Sequence, residues 1–143
     1  MRRGASAVRR RTRRDAPNLL DVAPIRVADW VTDGERLVVI RPRPRSRGLL
    51  LPLDWLAYFM AVRRIRLDEV GTAAWRLFDG ARTVGEVAEL VRDQFGDAVE
   101  PAEQRLGHLV RLLHRERLVC YRALDPLPPP GSEGRELPPE RPR

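Results

Sequence analysis

The chain has 143 residues, enough for one domain with a modest core. Its formal net charge is +7, and all 27 basic residues are arginine, a pattern that reads as coding bias rather than a demand for guanidinium chemistry. A single cysteine excludes an intrachain disulfide, and with only two histidines beside it no standard zinc constellation can be assembled.

The charge is concentrated at one end. Residues 1–19 hold seven Arg and one Asp, whereas residues 20–123 hold 17 Arg against 15 acidic residues. The high pI therefore belongs mainly to an N-terminal arm, and the rest is close to neutral. No apolar stretch follows the basic start, so no secretory signal is expected. The longest apolar run, Leu49 to Val62, is interrupted by Pro52 and Asp54. It falls short of the roughly 20 residues that a membrane-spanning helix needs. A cytoplasmic location is expected.

Residues 1–17 lack periodicity and are expected to be a disordered Arg-rich arm. Ile25 to Val31 alternates imperfectly and predicts a strand, Asp33-Gly34 predicts a hairpin turn, and Arg36 to Arg41 predicts the returning strand. Trp30 is placed to cover the core. Pro42 and Pro44 then forbid helix or central strand. The following segment, LLLPLDWLAYFMA over residues 49–61, is apolar and aromatic with flanking arginines. Three readings are open for it: a helix packed on the sheet, a surface for homodimer formation, or an interfacial membrane helix. Val62 to Leu67 predicts a third strand.

The punctuation that follows is clear. Asp68 is a good N-cap for a helix to Asp79, with Val70, Ala74, Leu77 and Phe78 at helical spacing and Gly80 as its stop. Thr83 and Glu86 have capping-box spacing for a second helix, Val84 to Phe95, stopped by Gly96. A third helix begins near Pro101 and runs to Arg115, and Leu118 to Tyr121 forms a closing strand. Seven of the last 20 residues are proline, so residues 124–143 are expected to be a disordered tail. The expected fold is α+β and winged-helix-like: an N-terminal β-hairpin and a third strand, then a three-helix bundle, within residues 18–123.

The run LDEVGTAAWRLFDGARTVGEVAELV, followed by FGDAVEPAEQRLGHLVRLLHRERLV, resembles the PqqD family, the small peptide-binding proteins of pyrroloquinoline quinone (PQQ) biosynthesis and their relatives among RiPP recognition elements. The resemblance implies a peptide chaperone. It would bind the leader of a ribosomally synthesised precursor peptide and present it to a modifying enzyme in trans, with radical SAM enzymes among the implied partners. It also implies the mode of binding, in which the leader adds to the third strand and lies against the third helix. Carried onto this chain, the strand is Arg63, Arg64, Ile65, Arg66 and Leu67, and the helix face is Arg105, His108, Leu112 and Arg115. Acidic and apolar leader residues would suit that groove, and Ile65→Pro is expected to remove a strand donor from it.

A winged-helix transcriptional regulator is the competing reading. It needs cations and base-reading amides on its recognition helix. The third helix offers arginines interleaved with Glu103 and Glu116, and Gln104 is its only amide, so nucleic acid is not the expected partner. No catalytic residues are expected. Asp68-Glu69 reads as a helix start, Cys120 as a buried thiol, and His108 and His114 are six residues apart, off the spacing of one helical face. No metal or other cofactor is implied.

Overall fold

The computed structural model describes residues 17–42 and 64–139. The basic arm, Arg63 and the three readings of residues 49–61, homodimer included, lie outside the described residues. Four strands lead in: β1 (Pro24–Arg26), β2 (Asp29–Asp33), β3 (Arg36–Ile40) and β4 (Arg64–Arg66). Three helices follow, α1 (Glu69–Leu77), α2 (Val84–Phe95) and α3 (Ala102–Arg115), then β5 (Val119–Tyr121) and β6 (Glu136–Leu137). The class is α+β, with hairpin strands ahead of three helices, as the sequence predicts.

The caps act as their spacing requires. Asp68 accepts the Gly71 N–H at 2.7 Å to start α1. Thr83 and Glu86 form a reciprocal capping box at α2, each side chain accepting the other residue's backbone N–H. Two helix ends differ from expectation. α1 stops at Leu77, and Gly80, at φ 77, lies beyond it. A Cβ at Gly80 would come within 2.6 Å of Ile25 Cγ1, so the glycine serves the close passage of this turn over β1. At α3, Pro101 is the N-cap rather than the first helical residue, and the Glu100 carboxylate accepts the Ala102 N–H at 3.1 Å.

The first predicted strand is two strands. The N–H groups of Val27 and Ala28 both donate to the Leu118 carbonyl, at 3.0 and 3.2 Å, and the chain changes partners there. β1 pairs antiparallel with β5, while β2 forms the hairpin with β3. The imperfect alternation of Ile25 to Val31 is the trace of this break. β4 adds antiparallel to the far side of β3, giving the order β4-β3-β2-β6.

The last strand corrects the expectation of a structureless tail from Leu124. Trp30 pairs with Glu136 and Val31 with Leu137 in a parallel ladder. The tail holds because it satisfies groups that β2 would otherwise leave open: Trp30 N–H donates to the Arg135 carbonyl at 3.1 Å.

One core lies between the inner sheet face and the helices. Trp30, Leu37, Val39 and Leu67 meet Trp75, Phe78, Val87, Val91, Leu106 and Val110, all buried. Trp30 and Trp75 pack edge to face with centroids 5.9 Å apart. The Arg26 guanidinium lies 4.7 Å over the Trp30 ring and donates to the Trp75 and Arg76 carbonyls at the C-terminal end of α1. Among the described residues no helix is long and apolar enough to cross a membrane.

Candidate functional site

The register of β4 fixes which of its backbone groups face outward. Its partners are Val38↔Arg66, Val39↔Ile65 and Ile40↔Arg64, and Leu67 N–H donates to the Leu37 carbonyl at 2.9 Å. In an antiparallel pair, bonded and non-bonded residue pairs alternate. The Leu67 N–H and both backbone groups of Ile65 therefore face β3, and Arg66 directs both of its groups away. Among the described residues β4 ends the sheet, so no described strand meets Arg66 on that side.

The alternation also sorts the side chains. Ile65 is half-buried against the core and Leu67 is buried, whereas Arg64 and Arg66 stand exposed on the outer sheet face. Arg66 pairs there with Asp33 at 3.1 Å, with both side chains more than half exposed, so the pair is readily exchanged for another partner. A shallow concavity of about 350 Å³ opens on this face. Val31, Val38 and Ile40 give it an apolar floor, Arg64 and Arg66 a basic rim, and Pro139 closes part of the far side. The sequence reading missed this concavity. Its signal is the unbroken apolar run Leu37 to Ile40, which puts apolar side chains on both faces of β3.

The helix residues divide in two. Arg41, just past β3, donates to the Glu116 carboxylate at the C-cap of α3, and the two side chains are 21% and 28% exposed. This pair ties the C-terminal end of α3 to the end of the sheet where Ile40 faces Arg64. Leu112 and Arg115 lie in that last stretch of α3, Leu112 half-buried and Arg115 exposed. Arg105 lies about 15 Å back along the helix. It donates instead to the Ala98 carbonyl at 3.0 Å, in the short 3-10 turn before α3. His108 is exposed between the two ends. The four residues thus form one outward stripe, of which only the C-terminal half is tied to the strand end.

The remaining chemistry-bearing side chains have structural partners. His114 Nε2 lies 2.8 Å from Asp125 Oδ2, its ring stacks on Tyr121 at 3.9 Å, and the same carboxylate accepts the Tyr121 N–H. This cluster pins the turn after β5. Burial pushes the Cys120 thiol up, and the nearby Asp125 carboxylate adds to the shift, which is the wrong direction for a nucleophile at neutral pH. Among the described residues no group of three or more His, Cys, Asp or Glu could hold a metal ion.

A sheet ending in a three-residue strand, with three helices packed on its inner face, defines a small winged-helix-like domain. Residues 57–119, which run from just before β4 to the start of β5, match the family model described as "Coenzyme PQQ synthesis protein D (PqqD)". Over that stretch the chain is similar to the PqqD family. No curated protein and no solved structure matches it.

Proposed function

We propose that this chain is a non-catalytic peptide chaperone. It binds the leader of a ribosomally synthesised precursor peptide as an added strand on β4 and presents it to a modifying enzyme supplied as a separate chain. The observation that carries this reading is the outward pair of backbone groups on Arg66, which an extended peptide satisfies without disturbing the β3 ladder. The similarity of residues 57–119 to the PqqD family supports the same role in a pathway of the PQQ type.

The pleat specifies the peptide. Side chains of an added strand alternate between the outer face, beside Arg64 and Arg66, and the inner face, beside Ile65. Acidic residues suit the first set and apolar residues the second. Leu112 and Arg115 of α3 are the helix residues best placed to contact the peptide where it leaves the strand. Arg105 and His108 would be reached only by a longer ligand.

The test is fluorescence anisotropy of labelled peptides encoded beside the gene, titrated at low and moderate salt, with a duplex DNA control. Saturable peptide binding that survives the salt change and is lost in Arg66→Pro supports the reading. Arg66→Ala, which keeps the N–H, should retain most of the binding. A DNA complex with 6–10 phosphate contacts would weaken by about 10³–10⁵ between 50 and 200 mM salt. Salt-sensitive DNA binding without peptide binding would favour the regulator instead.

A further inference from the structure

The other edge of the sheet is closed from within the chain. β2 would present a hazardous edge by itself: Trp30, Val31 and Thr32 are strong strand formers, apolar on both faces, next to Leu37-Val38-Val39-Ile40. The segment from Gly134 to Leu137 lies along it. Gly134 N–H donates to the Arg26 carbonyl at 3.0 Å, and Arg135 N–H donates to Asp29 Oδ1 at 3.0 Å. Trp30 N–H donates to the Arg135 carbonyl, and the Thr32 hydroxyl donates to the Glu136 carboxylate. A Cβ at Gly134 would come within 1.9 Å of the Ala28 carbonyl oxygen, a backbone atom that cannot move aside. The segment is therefore fitted to this place residue by residue.

Its composition makes it a poor template for anything further. β6 has two residues, and Pro138 and Pro139 follow at once, each without an N–H to offer another strand. The approach from β5 is also proline-rich, with Pro126, Pro128, Pro129 and Pro130. A long apolar edge is thus exchanged for a two-residue edge ended by prolines.

We propose that residues 134–137 are an edge guard acting in cis: they occupy the β2 edge and prevent it from pairing with the β2 edge of a second copy of this chain. The inference does not depend on peptide binding at β4, and its test contains no leader peptide.

Three proteins are compared by size-exclusion chromatography with light scattering over a range of concentrations: the full chain, a chain ending at Ser132, and the full chain with Gly134→Ala. Circular dichroism checks that each is folded. The expected result is self-association of the truncated chain and of Gly134→Ala at concentrations where the full chain is a monomer. A synthetic peptide of residues 132–143, SEGRELPPERPR, should then bind the truncated chain saturably and reverse its association. The same peptide carrying Gly134→Ala should bind at least tenfold more weakly. If the truncated chain is too unstable to handle, Gly134→Ala decides alone, with protease sensitivity of the tail reporting its release. Folded variants that stay monomeric with the tail released would overturn the proposal, as would a self-associating full chain with the tail still in place.

Discussion

Thr72 sits in α1 with 3% of its surface exposed, and its hydroxyl accepts the Leu37 N–H from β3 at 3.1 Å. Thr72→Val keeps the shape and removes the acceptor, leaving a buried N–H unpaired. The expected cost is about 1–3 kcal/mol, read as a lower urea midpoint with an unchanged slope. Cys120 makes the complementary case, in which a residue of chemical potential is kept quiet. Burial pushes its thiol up, so it should react slowly with an aromatic disulfide reagent at pH 7.5 and rapidly once urea unfolds the chain. Equal rates in both conditions would show that the thiol is not held as described.

Two substitutions in β4, one residue apart, should behave oppositely. The N–H of Ile65 belongs to the β3 side of the ladder, so Ile65→Pro breaks the native sheet at a cost of about 1–3 kcal/mol. It is not the edge donor that the sequence alone suggested. Arg66→Pro removes an outward N–H and should leave the urea midpoint nearly unchanged. A circular dichroism melt of both variants checks the ladder's phase before any ligand is added.

The tie between β3 and α3 has its own pH signature. The hydrogen bond from Arg41 holds the Glu116 carboxyl below its ordinary value of 4.5, and the hydrogen bond from Arg92 acts on Glu100 in the same direction. A lowered folded pKa gives stability that is present above the unfolded value and lost as pH falls through the folded one. The urea midpoint should fall as pH drops below about 4.5, and it should fall less in Glu116→Gln. Parallel curves for the two proteins would contradict the tie.

At the scale of the whole molecule, what could be read from the sequence was what is local. Asp68, Thr83 with Glu86, and Gly96 act within a few residues of themselves, so spacing alone located the three helices. Gly80 was legible as a stop but not as a clearance for Ile25, because that neighbour is 55 residues away in the chain (80 less 25). β6 was illegible for the same reason: two residues have no period, and its parallel pairing with β2 joins positions over 100 apart. For the candidate site, the presence of a strand at Arg64–Arg66 was legible and its phase was not. The alternation that makes Arg66 the outward residue follows from the Leu67–Leu37 bond, which no propensity contains.

The most direct measurement is amide hydrogen exchange of the ¹⁵N-labelled chain by NMR, with and without a saturating peptide. The Leu67 amide, bonded to Leu37, should be protected in both states. The Arg66 amide should exchange fast alone and become protected at least tenfold on binding. A peptide that saturates while the Arg66 amide keeps its free exchange rate would contradict strand addition at β4 and move the binding surface elsewhere on the fold.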